Sequence, residues 1–310
     1  MTRVEMSGRC WTRWLLAIAA SALMASPGRA AAPAAPDKAP VQASTTVEGL
    51  TVTARNPEPE QLPAIVNRFV KSHGELSRIG QLSRWTVPVC PKVVGLAPAF
   101  DSFVLARVRR VAADVGAPVD KKSTCKPNLL IAFTTKPQDL LDNVRKRHPQ
   151  MLGFHYAAQT PRLATFSHAF QAWYMTGTAP EGGLMEIDSE FTPMPGGTAG
   201  SRLTSRLTSQ FVEALVIMDS RQAVGHQIGA IADHVAMLSL ARASDVSGCS
   251  ALPSILDFLN PDCAAGPDVD SITPYDTAYL KGLYSINLEA YAAAQRSEIG
   301  SRMLREIATH

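Results

Sequence analysis

Hydrophobic and polar positions switch between two periods along this chain, and the switches predict an ordered series of elements. Residues 63–73 (PAIVNRFVKSH) place Ile65, Val66, Phe69 and Val70 on one side of a helix. Residues 85–94 are apolar and β-branched but broken by Pro88 and Pro91, as an edge strand tolerates. From Pro98 the period becomes helical, with Val104, Val108, Val111 and Val115 spaced by four, three and four, and Gly116 stands where such a helix ends. Residues 128–135 (NLLIAFTT) form a short apolar run, hence a buried strand. Lys136 and Pro137 then open a helix carrying Leu140, Leu141 and Val144.

The second half of the chain reads differently. Residues 165–176 alternate, with Phe166, His168, Phe170, Ala172 and Tyr174 on one side, as a half-buried strand does. Trp173 and Tyr174 then face opposite ways, with core or interface packing the default and one of them free to line a cleft. Residues 180–183 and 193–200 read as loops. A second buried strand is predicted over 211–218 (FVEALVIM), followed by the strongest helical repeat, in which Val224, Ile228, Ile231, Val235 and Leu238 are spaced by four, three, four and three. Thr273 and Pro274 cap a helix carrying Tyr279, Leu280 and Leu283, and a last helix is expected from about residue 288 to residue 307. Strands and helices in this order make an α+β or α/β fold. We expect one mixed-sheet domain with several flanking helices over residues 47–310, with two lobes, 47–155 and 156–310, as the alternative.

The N-terminus adds a destination. Arg3, Arg9 and Arg13 precede an uncharged run of 12 residues, Trp14 to Ala25, and Pro27 leads into the small residues around Gly28, Ala30, Ala31 and Ala32. That order is the one a signal peptidase reads, so residues 1–30 are expected to be removed near Ala30 to Ala32 and the mature protein to be periplasmic or extracellular. The run is shorter than the roughly 20 residues of a membrane span, and Cys10 precedes it, so neither membrane insertion nor a lipid anchor is expected. Residues 31–46 are rich in Ala and Pro and read as a flexible spacer.

Removing the four arginines and one glutamate of residues 1–30 leaves 26 basic and 26 acidic side chains. This balance gives no argument for nucleic acid as a partner. Four cysteines remain, Cys90, Cys125, Cys249 and Cys263, and an even number in an exported chain reads as disulfides. Of three connectivities we favour the local pairs Cys90–Cys125 and Cys249–Cys263. Zinc ligation is the rival, without a Cys-x-x-Cys pair or matching histidines to support it.

Few residues offer chemistry. A strand followed by a long helix is where zinc peptidases place His-Glu-x-x-His, and here the helix holds His226 and His234. On one α-helix these two would lie roughly 80° and about 12 Å apart, whereas one zinc needs a spacing of four. Ala230 stands where a partner to either would be, and His226 shares a face with Asp233. Glu186, Asp188 and Glu190 alternate with Met185, Ile187 and Phe191, so three carboxylates on one strand face could bind calcium or simply be solvated. Asp268, Asp270 and Asp276 lack EF-hand spacing, and Ser123 to Lys126 (STCK) matches Ser-x-x-Lys only before a strand and without Lys-Thr-Gly. No cofactor is implied.

Several stretches resemble an uncharacterised family of secreted proteins of Gram-negative bacteria: RWTVPVCP at Arg84, CKPNLLIAFT at Cys125, QAWYMTG at Gln171, VEALVIMDS at Val212, ADHVAMLSLARAS at Ala232, PSILDFLN at Pro253 and YDTAYLKGLYS at Tyr275. That resemblance implies export and one domain and supplies no reaction. The last stretch also resembles the C-terminal part of a zincin-like family whose preceding helix carries a histidine and a glutamate. Here that helix reads QIGAIAD from Gln227, so the resemblance implies a degenerate scaffold that has lost the metal. Residues 47–55 (VEGLTVTAR) are similar to the TonB box of outer-membrane receptors. The expectation is therefore a non-enzymatic periplasmic binding or envelope-associated factor, with an envelope protein as a conceivable partner. Its rivals are a hydrolase on a zincin-like scaffold using His226, Asp233 or His234, and an adaptor to the TonB system through residues 47–55.

Overall fold

A computed structural model describes residues 60–122, 124–153, 159–189, 200–201, 204–243, 248–260, 262–263 and 269–309. The leader, the spacer, residues 47–55, Ser123, Glu190 and Asp268 lie outside them. Residues 57–310 form one compact unit.

Among the described residues, five strands make one mixed sheet in the order β1-β2-β5-β3-β4, flanked by seven helices. β1 (Pro91–Val94), β2 (Leu129–Thr134) and β5 (Leu207–Asp219) run parallel, while β3 (Phe170–Pro180) and β4 (Glu186–Ile187) complete the sheet antiparallel. A parallel pair needs a crossover, which α2 (Pro98–Asp114) supplies between β1 and β2. β5 lies between β2 and β3, so residues from both sides of position 155 share one sheet and the division into two lobes is not realised.

Burial on both faces explains why β2 and β5 read as apolar runs. One face carries Leu129, Ile131, Phe133, Ala214, Val216, Met218 and Tyr174 into the main core, beneath α2 and α5 (Ile228–Leu240). The other carries Ala132, Ile217, Leu215 and Trp173, paired in register, toward α3 (Pro137–Arg147) and the turn at Pro149–Leu152. Trp173 and Tyr174 do point opposite ways, and both are buried. The indole N–H of Trp173 donates to Leu163 O at 2.7 Å, on the short helix α4 (Thr160–Leu163), and the Tyr174 hydroxyl lies 2.9 Å from Ala241 O. The predicted strand 165–176 is thus displaced: it starts at Phe170 and runs to Pro180.

Three further helices close the unit. α1 (Leu62–His73) buries Val66, Phe69, Val70 and His73, and it packs against α7 (Ala292–Ile307), which in turn packs on α6 (Pro274–Leu283). α2 ends as the sequence suggests, with Gly116 in the left-handed region at φ 81°. α7 begins four residues later than expected, and the edge strand shrinks from 85–94 to Pro91–Val94. α6 starts with a full capping box: the Asp276 N–H donates to Thr273 Oγ1, and the Thr273 N–H donates to the Asp276 carboxylate, both at 3.0 Å. Thr273→Ala is expected to cost about 1 kcal/mol in urea denaturation, and an unchanged midpoint would show that Pro274 alone sets the helix start.

Both predicted disulfides are present, Cys90–Cys125 and Cys249–Cys263. No helix among the described residues is long and apolar enough to cross a membrane.

Candidate functional site

The structure separates the three residues that sequence placed around α5. Val224 is 80% exposed and does not belong to the helical face. The chain turns at Gly225, whose φ of 87° only glycine adopts freely, and α5 starts at Ile228 with Gln227 as its N-cap. His226 therefore stands outside the helix, and the shared face with Asp233 does not exist. It is exposed, with its ring against the edge of Phe258 at 5.1 Å.

Asp233 and His234 lie within α5 and are buried, but both are engaged. The Asp233 carboxylate accepts from Arg107 Nε, from Arg107 Nη2 at 2.8 Å and from Ile272 N at 2.9 Å, which ties α5 to α2 and to the segment before α6. The His234 ring stacks on Phe170 at 4.1 Å, and its Nδ1 donates to Ile255 O at 2.9 Å. Burial holds this imidazole down at about 4, so it is neutral over the ordinary pH range.

Of the carboxylate row, the described residues include Glu186 and Asp188, and these do not share a face. β4 is only two residues long, Glu186 is exposed, and Asp188 turns inward, where it accepts from the Thr176 and Thr178 hydroxyls at 2.7 Å each. Asp188 thus ties the β3–β4 hairpin together from a buried position. Among the described residues no group of three histidines, cysteines or carboxylates is placed to hold a metal ion.

What the fold does form is a cleft of about 490 Å³ at the carboxyl ends of β2 and β5. Ligands of open α/β sheets gather at that edge, because loops and helix N-termini converge there. Lys136, Gln138 and Asp139 contribute from the start of α3, His168 from the loop before β3, and Arg221 and Gln222 from the turn after β5. Gln138 braces one wall: its amide donates to Ala164 O at 3.0 Å and accepts from Phe166 N at 2.8 Å. Arg221 grips Asp219, with Nη2 2.6 Å from Oδ2, and this guanidinium holds the Asp219 carboxyl below the usual range. No family model, curated protein or solved structure matches the chain.

A second constellation escaped the sequence reading. His73 ends α1, Ser254 precedes the short turn Ile255–Asp257, and Asp276 sits in the first turn of α6, all fully or almost fully buried. His73 Nε2 lies 3.1 Å from Ser254 Oγ, and that hydroxyl donates to Asp276 Oδ1 at 2.6 Å. The types are those of a nucleophilic triad, but the order is not: serine bridges histidine and aspartate, whereas an activating base must itself lie between them. Partners 181 and 22 residues apart leave no local signal, and only the capping pair at Thr273 and Asp276 marks one of the three.

Proposed function

We propose that this protein is an exported, non-enzymatic binding factor that acts in the bacterial envelope and takes its ligand in the cleft at the carboxyl ends of β2 and β5. The observation that carries this reading is the burial of Asp233 and His234, the two candidate groups within α5, the first held by Arg107 and Ile272 and the second stacked on Phe170 out of reach of solvent. A general acid or base must reach its substrate with a free proton or lone pair. A carboxylate bound by a guanidinium and a backbone N–H serves instead to join α5 to α2. The cleft, by contrast, presents cationic, carboxylate, amide and imidazole side chains around a concave surface, which suits recognition of a small polar ligand. Two disulfides and the N-terminal pattern support an oxidising compartment. The likeness of the C-terminal part to a zincin-like family supports a scaffold whose helix has been turned from metal binding to packing.

Native mass spectrometry of protein isolated from a periplasm without chelators or a histidine tag tests this directly. The expected result is a non-covalent small-molecule adduct that disappears from a Lys136→Ala, Arg221→Ala variant. Stoichiometric zinc that is lost in His234→Ala would overturn the reading and make the protein a metalloenzyme.

A further inference from the structure

Two consecutive residues of the loop closed by Cys249–Cys263 are held by three buried ionisable side chains from three different elements. Ser254 meets His73 of α1 and Asp276 of α6, while Ile255 gives its carbonyl to His234 of α5 and its N–H to the other oxygen of Asp276 at 2.8 Å. Ile255 itself is fully buried, and Leu252 and Leu256 lie beside it in the core. We propose that Ser254 and Ile255 form an acid-released clasp, in which His234 is the trigger that lets the loop lift from α5 as pH falls, while His73 and Asp276 share a proton and resist release.

The surroundings of the two histidines differ in the way this requires. His73 Nδ1 lies 2.9 Å from Phe69 O and its Nε2 lies 3.9 Å from Asp276 Oδ1, with the Ser254 hydroxyl between. One added proton therefore completes a chain: Nδ1–H to Phe69 O, Nε2–H to Ser254 Oγ, and Ser254 Oγ–H to Asp276. Asp276 also accepts from Thr273 N. The other polar groups facing this pair are the Tyr279 hydroxyl, which donates to His73 O, and Arg296 of α7, which donates to Gly74 O. Glu75 is occupied by Arg242, and Arg162 stands 3.6 Å from its other oxygen.

Among the described residues His234 has no such partner. It is packed between Phe170 of β3 and Phe258 of the loop, with His226 beyond Phe258. Asp233, its neighbour in sequence, is taken by Arg107 of α2, and Asp257, two residues beyond Ile255, accepts from the Ser250 N–H and hydroxyl. A proton on His234 is thus uncompensated.

Burial sets the direction of each effect. His73 and His234 are both lowered from 6.5 to about 4, and Asp276 is raised from 3.8 to about 6. A histidine held low in the closed form loses its contribution as pH falls from 6.5 toward 4. A carboxyl held high does the opposite, and loses its contribution as pH rises from 3.8 through 6. The lowered histidine and the raised carboxyl therefore act in opposite senses and largely offset each other. Their joint effect on opening from pH 7 to 5 is only about twofold, whereas His234 alone adds about 20-fold.

The experiment is hydrogen exchange with mass spectrometry on the oxidised full chain at pH 7 and pH 5, corrected for intrinsic exchange. Amides 250–260 are expected to open about 40-fold more at pH 5 while β5 and α5 stay protected. His234→Asn, which keeps a donor toward Ile255 O, is expected to reduce the response to about twofold, and Asp276→Asn to steepen it to about 400-fold. Equal protection at both pH values, or parallel loss in β5 and α5, would overturn the proposal. So would a full response in His234→Asn or, should that variant not fold, a response in Asp276→Asn no steeper than that of the unaltered protein.

Discussion

Replacing Arg107 by alanine is expected to remove about 3–5 kcal/mol of stability in urea denaturation. Asp233 is only 1% exposed and lies between α2 and α5, where the guanidinium and the Ile272 N–H are its hydrogen-bond donors. Truncating Arg107 leaves a carboxylate in an apolar contact between two helices, with one backbone donor to offset its lost hydration. The cost belongs to the stranded charge more than to the pair itself. Joint replacement, Arg107→Met with Asp233→Leu, is therefore expected to recover most of the loss, because both desolvation penalties vanish together. A decrease below about 1 kcal/mol for Arg107→Ala would mean that water reaches Asp233, and the argument that α5 is committed to packing would fail with it.

The same residues show where sequence is informative and where it is not. β2 and β5 are legible because both sheet faces are covered, which demands unbroken apolar runs such as LLIAFT and ALVIM. The local disulfide pairs are legible because each closes a short stretch of chain. Periodicity misleads at Val224, which continues the spacing of α5 by coincidence while Gly225 turns the backbone away before the helix starts. Alternation misleads at Asp188, because Thr176 and Thr178 on β3 supply hydroxyls that draw it inward. His73 looks like an ordinary basic residue at a helix end, and its role depends on Ser254 and Asp276, which only the tertiary fold brings to it. The cleft is not legible in the sequence for a similar reason. Its lining comes from three turns, and none of those turns carries a pattern until the strands place them at one edge.

Removing the Cys90–Cys125 bridge, by Cys90→Ser with Cys125→Ser, is expected to lower stability by about 4 kcal/mol, against about 3 kcal/mol for the shorter loop of Cys249–Cys263. The sequence separations, 35 and 14 residues, set that order, because a longer closed loop restricts the unfolded chain more. The native contacts around the first bridge are expected to survive its loss. Asn128 already fastens the same junction: its side-chain oxygen accepts from Cys90 N at 2.7 Å, its amide donates to Pro88 O at 3.1 Å, and its backbone N–H donates to Cys90 O at 3.1 Å. The bridge should therefore act mainly through the unfolded state. Urea denaturation separates the two contributions, since an expanded unfolded chain raises the denaturant slope as well as lowering the midpoint. A lower midpoint with an unchanged slope would place the contribution in the folded junction instead. Equal midpoints with and without the bridge would mean that Asn128 suffices, and that β1 is held by hydrogen bonds alone.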